Sequence, residues 1–224
     1  YSATDAAGNT GTALRIVNVV DTTPPVITVA GANPISVHYG DSYVDDGATA
    51  LDNYDNDITG AIVTVNNVNT SLLGLQVVTY DVNDSSGNSA HDRRNVTVID
   101  EEIPIITMLG SSPVSVPINT PYVDDGATAL DNADGDITGS IVTNSNVNTS
   151  TIGTYSVTYD VSDSSGNIAM TVTRVVNVVD VTPPVITLLG NGIVYVEKGT
   201  PYNDEGATAI DDIDEDLTAS IIVV

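Results

Sequence analysis

The chain repeats itself, and this limits its fold more than any other feature. The string YVDDGATALDN occupies residues 43–53, recurs at 122–132 and returns as YNDEGATAIDD at 202–212, with spacings of 79 and 80 residues. A second marker, Asp-x-x-Gly-Asn, sits at Asp5/Asn9, Asp84/Asn88 and Asp163/Asn167. A third, an Asp followed by Pro four residues on and then Val/Ile-Ile-Thr, begins at Asp21, Asp100 and Asp180. These aspartates mark the seams. They divide the chain into a C-terminal remnant of a module (1–20), two whole modules (21–99 and 100–179) and the N-terminal part of another (180–224). Both chain ends fall inside predicted strands, so neither reads as a natural domain edge.

Within each repeat, runs of Val, Ile, Thr and Tyr alternate with Gly, Asn, Asp and Pro at intervals of about 8–12 residues. No stretch has the 3.6-residue period of an amphipathic helix. This is the pattern of an all-β, immunoglobulin-like sandwich of about seven strands per module. In 100–179 the expected strands are A over 105–109, A′ over 114–118, B over 126–130 and C over 137–143. A short strand near 147–150 follows, then F over 154–161 and G over 168–179. On strand F, Tyr155, Val157, Tyr159 and Val161 share one face. With no Phe or Trp in the chain, its ten tyrosines and the many valines must form the cores.

Asp+Glu number 30 against five Lys+Arg, a formal net charge of −25, yet 41% of residues are hydrophobic. That apolar content supports folded cores and not an acidic disordered tail. So few cations exclude nucleic acid as a partner, because phosphate binding needs clustered Lys and Arg. No apolar run approaches a membrane span, so no membrane insertion is expected in this segment. Cysteine is absent, which removes disulfide staples and points to metal or neighbouring modules as the source of added stability.

The strings TPPVITL, YVDDGATALDN, DNADGDIT and YDVSDSSGN resemble the bacterial Ig-like repeats of large surface adhesins, related to the hyalin-repeat type and also appended to secreted enzymes and toxins. The likeness covers the whole chain. It implies the fold and an extracellular or cell-surface address, and it leaves function to the sites.

In the usual antiparallel strand order, the seam, the B–C loop and the F–G turn meet at one pole of the sandwich. In the first whole module this gathers Asp21, Asp52, Asp55, Asp57, Asp84 and Asn88. In the second it gathers Asp100, Glu101, Asp131, Asp134, Asp136, Asp163 and Asn167, with Glu102 beside them, and in the partial one Asp180, Asp211, Asp214 and Asp216, with Asp212 and Glu215 in the same run. Massed carboxylates repel, and a hard cation with oxygen ligands relieves that repulsion; calcium fits best. Zinc and copper are disfavoured by the lack of Cys and by having only His38 and His91. Turn chemistry is the competing account, since Asp, Asn and Gly also serve tight hairpins. It suffices for Asp-Ser-Ser-Gly-Asn, whereas the B–C cluster favours calcium. A metal at the seam would fix the angle between neighbouring modules, as resemblance to cadherin-like arrays implies.

Asp45, Asp46, Asp124 and Asp125 precede strand B and carry no metal expectation. Arg15, Arg94 and Arg174 each lie six residues before a seam aspartate. Each is expected either to snorkel over the sandwich edge or to pair with a strand acid such as Asp81 or Asp160. His38 aligns with Pro117 and His91 with Met170, so both read as surface variation. Asn69, Asn83, Asn95 and Asn148 open Asn-x-Ser/Thr sequons. Every acid pair recurs in every module, whereas an active site occurs once and needs a cleft, so no enzyme is expected.

The sequence therefore favours a structural extracellular stalk or fibre of Ig-like spacers stiffened by calcium. Its partners would be neighbouring modules of the same chain and other copies of the fibre. Two alternatives stay open: modules that bind a glycan or protein, for which Tyr54 is the one loop aromatic without an aromatic counterpart, and an accessory region of a secreted enzyme or toxin.

Overall fold

A computed structural model describes residues 1–224 as two units, Tyr1–Glu101 and Glu102–Val224. In the first, β1 (Ser2–Thr4) and β2 (Thr10–Thr12) form a hairpin. The strands β3 (Val26–Val29), β4 (Ile35–His38), β5 (Ala48–Asp52), β6 (Asn56–Asp57), β7 (Val63–Asn66), β8 (Gly74–Asn83) and β9 (Ser89–Ile99) then build two sheets. One has the order β3-β5-β6 and the other β4-β9-β8-β7, with β4 parallel to β9 and the remaining pairs antiparallel. Alternate residues of β8 and β9 point inward. Val78, Tyr80 and Val96 are fully buried and pack against Ile27, Val29, Ile35, Val37 and Tyr43.

The second unit repeats this plan. β10 (Ile105–Met108), β12 (Ala127–Asp131) and β13 (Gly135–Asp136) form one sheet. β11 (Val114–Pro117), β16 (Val172–Val179), β15 (Gly153–Asp160) and β14 (Val142–Ser145) form the other. Val116, Val157, Tyr159 and Val176 make its core. β17 (Val185–Leu188) then pairs with β18 (Ala207–Ile210). The all-β sandwich read from the sequence is the fold, and the expected A, A′, B and F strands correspond to β10, β11, β12 and β15.

Three expectations need correction. The expected C strand over 137–143 is broken: β13 ends at Asp136, a 3₁₀ turn covers Thr138–Ser140, and β14 starts at Val142. The Thr138 hydroxyl accepts a bond from the Ala129 amide at 3.0 Å, and Asp136 accepts one from the Thr138 amide at 2.9 Å. These side-chain bonds replace ladder bonds locally. No strand forms at 147–150, where Asn148 instead accepts from the Ser150 amide at 3.0 Å and closes an Asx turn.

Strand G is regular only from Val172; before it, an isolated bridge joins Ser162 and Ile168. Arg94 lies opposite Val78, and Arg174 lies opposite Val157. The extra residue of the longer repeat is therefore absorbed in 168–171. Thr171, and not Met170, then bonds Asp160 in the way His91 meets Asp81.

Candidate metal centre

Asp52 ends β5, at the point where the chain turns into the B–C loop. Its Oδ1 accepts the amides of Tyr54 and Asp55 at 2.8 and 2.9 Å, which pins the carboxylate; its Oδ2 is buried without a hydrogen-bond partner. Asp84 sits past the end of β8 in the Asp-Ser-Ser-Gly-Asn turn, which Gly87 closes at φ 90°. Only a residue without a Cβ takes that φ freely. Asp84 accepts the Asn88 amide at 2.7 Å and the Asn88 side-chain amide at 2.6 Å. Desolvation works against its ionisation, but the Asn88 side-chain and backbone bonds outweigh it and hold the carboxyl below its ordinary pKa. Asp21 comes from the seam: its Oδ1 accepts the Thr23 amide at 3.1 Å, and its Oδ2 is buried and unpartnered.

Carboxylate oxygens of Asp21, Asp52 and Asp84 lie within 4.8 Å of one another. Asp52 and Asp84 are only 8% and 7% exposed. Buried carboxylates this close cost free energy unless a positive charge or a proton sits among them. No Lys or Arg pairs with any of the three. An all-oxygen set with unpartnered buried oxygens has the chemistry of a site for a hard divalent cation.

The second unit repeats these local bonds. Asp131 Oδ1 accepts the amides of Ala133 and Asp134, both at 2.9 Å, and its Oδ2 is buried and unpartnered. Asp163 accepts the Asn167 amide at 2.7 Å and is likewise held low, with Asn167 bonding prevailing over desolvation. Asp100 is the sequence counterpart of Asp21. In the last repeat, Asp180, Asp211 and Asp212 form a group within 4.8 Å. Asp212 was not among the residues favoured as ligands; the doubled acid in YNDEGATAIDD was the available signal.

The other residues expected as ligands lie outside these groups of three and make the following bonds. Asp55 accepts the Ser85 amide at 2.6 Å and the Ser85 hydroxyl at 2.8 Å, tying the B–C loop to the F–G turn, and Asp134 does the same with Ser164 at 2.6 and 2.8 Å. Asp57, Asp136 and Asp216 accept the amides of Thr59, Thr138 and Thr218 and so open the 3₁₀ turns. Asp214 donates its amide to Asp211, and Glu101 lies 3.9 Å from His38. Asn88 buttresses the corner, its side-chain amide reaching the Asp21 and Thr23 carbonyls at 3.4 Å.

Arg94 and Arg174 are core residues and do not snorkel over an edge; each forms the ion pair that the other reading expected, but with Asp45 and Asp124 in place of Asp81 and Asp160, whereas Arg15 is exposed. Arg94 is fully buried and its Nη1 lies 3.0 Å from Asp45 and 3.7 Å from Asp46; Arg174 lies 2.5 Å from Asp124. Their Nη2 groups donate to the Ala30 and Leu109 carbonyls. The Tyr80 hydroxyl donates to Asp45 at 2.7 Å, and Tyr159 to Asp124 at 2.6 Å. Burial, then Asp45, pushes the Tyr80 phenol up to about 12. Asp81 and Asp160 instead meet His91 and Thr171. The signal for Asp45 and Asp124 was their own recurrence, two residues after a tyrosine in each repeat.

The sequence profile described as "Bacterial surface protein, Ig-like domain" matches residues 27–98, 106–178 and 186–224. The chain belongs to this bacterial surface Ig-like family. Hyalin from Lytechinus variegatus is 34% identical over 227 residues, covering 89% of this chain and 40% of that protein. Hyalin from Strongylocentrotus purpuratus is also 34% identical, over 89% of this chain and 18% of its own length. The pesticidal crystal protein Cry22Aa of Bacillus thuringiensis is 38% identical over 52% of this chain and 16% of its length. The chain thus spans less than half of each of these relatives. Among solved structures, one of CBM51-2 in complex with GlcNAc and INT domains from Clostridium perfringens ZmpB matches at TM-score 0.29 with 26% identity, over 39% of this chain and 20% of that one. This family member is a surface module of the cell exterior. No helix is long and apolar enough to cross a membrane.

Proposed function

We propose that the chain is a non-catalytic segment of an extracellular stalk or fibre, its Ig-like modules serving as spacers that bind Ca²⁺ at the seams. The observation that carries this reading is the buried, unpartnered Oδ2 of Asp52 beside Asp21 and Asp84. Asp21 belongs to the seam, whereas Asp52 and Asp84 belong to the sandwich ends. A cation held by all three ties the seam to the module. With metal the seam is stiff; without it, three carboxylates push the seam away. The same local bonding at Asp131 and Asp163 fits a device used once per module, as a spacer requires and an active site does not.

Thermal unfolding of the chain in calcium and in chelator tests the reading. A metal that binds only the folded state raises the melting temperature by mass action. An unchanged melting temperature together with unchanged small-angle scattering removes the metal from the proposal.

A second reading, glycan binding by the first module, rests on Tyr54. The residue is 70% exposed and lines an open cavity of about 650 Å³ with Val19, Val20, Asp21, Asn53 and Ser86. Stacking of a sugar on that ring would be lost in Tyr54→Ala, which binding to immobilised glycans checks.

A further inference from the structure

The outer face of the sheet β4-β9-β8-β7 places exposed apolar side chains beside charges of both signs. Odd-numbered residues of β7, β8 and β9 point away from the core and toward solvent. Val63 (62% exposed), Val65 (46%), Leu75 (65%) and Val77 (36%) form an apolar group there. Asp81, His91 and Arg93 lie beside it on the same face, His91 bonding Asp81 at 2.7 Å. His38, at the end of β4 and 3.9 Å from Glu101, completes the face. Arg94 and Arg174 are buried, so the solvent-facing basic groups of the chain are Arg15, His38, His91, Arg93 and Lys198. Three of these five share this one face.

We infer that this face is where two copies of the chain associate side by side. The argument is one of charge. A chain of net charge −25 repels a second copy wherever acid meets acid, and close approach needs a locally neutral surface. In a two-fold pairing the same patch meets itself, so it must carry both signs and an apolar centre. This face has all three: Val65, Leu75 and Val77 to bury against their counterparts, Arg93 and the histidines for one sign, Asp81 and Glu101 for the other. Exposed contiguous apolar surface rimmed by polar groups is itself the mark of an association site.

The second module supplies the control. At the positions of Val65, Leu75 and Val77 it has Asn144, Thr154 and Ser156, and opposite Thr158 it has Thr173 where Arg93 faces Thr79. Val142, 58% exposed, and Val175 remain apolar on that face, so the same sheet folds with polar side chains at the three positions that form the centre of the patch in the first module. Association is a property added to the first module and is not a need of the fold.

The test is sedimentation velocity on the full chain over about 1 to 500 µM, a range that resolves weak pairing. The wild-type chain should shift from monomer to dimer within that range. Leu75→Thr with Val77→Ser, which installs the side chains of the second module, should raise the dissociation constant at least about tenfold, with melting temperature and circular dichroism unchanged. Arg93→Glu should weaken the dimer as well. A wild-type chain that stays monomeric leaves the face to a partner of another kind and overturns the inference. So does an unchanged dissociation constant in the Leu75/Val77 variant.

Discussion

The two whole modules agree where their chains turn or bury charge and diverge where a sheet meets water. Arg94 and Arg174 occupy equivalent core positions, each set against an aspartate that also accepts a tyrosine hydroxyl. Asp52 and Asp131 accept the same pair of loop amides, and Asp84 and Asp163 the same asparagine. The outer faces of their four-stranded sheets, by contrast, differ: Val65, Leu75, Val77 and Arg93 in one stand where the other has Asn144, Thr154, Ser156 and Thr173. A repeated module can vary an outward-pointing strand residue at little cost, because it touches water and one cross-strand neighbour. It cannot vary a buried charge without stranding its partner. What repeats therefore reports folding and seam chemistry, and what differs reports the duty of a single module.

The largest expected effect breaks the shared core. Arg174→Ala leaves Asp124 and two tyrosines around an uncompensated charge and should cost about 3–5 kcal/mol, read from urea unfolding. Arg94→Ala should cost a similar amount. The pair can then be split: Asp124→Ala should destabilise more than Asp45→Ala, by about 1 kcal/mol or less. Arg94 retains Asp46 at 3.7 Å, although that carboxylate is 59% exposed and screened by solvent.

Next comes the metal. If Ca²⁺ is supplied at about 100 times its dissociation constant, binding should add about 2.7 kcal/mol, a rise in melting temperature on the order of 10 °C for a domain of this size. Because Asp52 and Asp131 accept the same loop amides and each leaves a buried Oδ2 unpartnered, Asp52→Asn should abolish the shift in the first unit and leave it in the second, and Asp131→Asn should do the reverse. Differential scanning calorimetry with and without chelator separates the two.

A smaller effect follows acid titration. Asp84, Asp163 and Asp124 all have folded-state pKa values below the ordinary 3.8. For Asp84 and Asp163, asparagine bonding overcomes desolvation. For Asp124, the hydroxyls of Tyr159 and Tyr122 do so, with Arg174 adding to them. A depressed carboxyl stabilises the fold fully above its unfolded pKa, and that stability is lost as pH falls through the folded value. Stability of the metal-free chain should therefore hold down to the ordinary carboxylate range and decline below it. Asp124→Asn should flatten the decline in the second unit, as urea midpoints against pH would record.

Much of this was legible in the sequence. The repeat, the turn residues and the Val/Ile/Thr runs located the sandwich and most of its strands, because backbone conformation there is set locally. The gathering of Asp21, Asp52 and Asp84 was legible too, since it follows from strand order alone. The broken C strand was not: it depends on a hydroxyl of Thr138 reaching back to Ala129 across a turn. Arg94 misled because an arginine sharing strand parity with the valines that follow it, Val96 and Val98, looks like an edge residue. Its partner Asp45 is 49 positions away, and only the packed core brings them together. The outer face of the first module was hidden for another reason, as four exposed apolar residues look like ordinary strand alternation until the register aligns them.

The smallest expected effect concerns Tyr54. Ala133 and Ile213 stand at its position in the other repeats, and the loop fold there rests on Asp52 accepting backbone amides, a bond that does not involve the ring. Tyr54→Ala should therefore change stability by less than about 0.5 kcal/mol, and Ala133→Tyr should be equally silent. Both are checked by urea unfolding. A larger loss in Tyr54→Ala would mean that the ring packs against Val19 and Val20 and braces the seam, making it part of the spacer. A silent substitution means that the difference between the two modules at this position is not a matter of folding, and the glycan-binding assay on Tyr54→Ala then decides whether the ring holds a ligand.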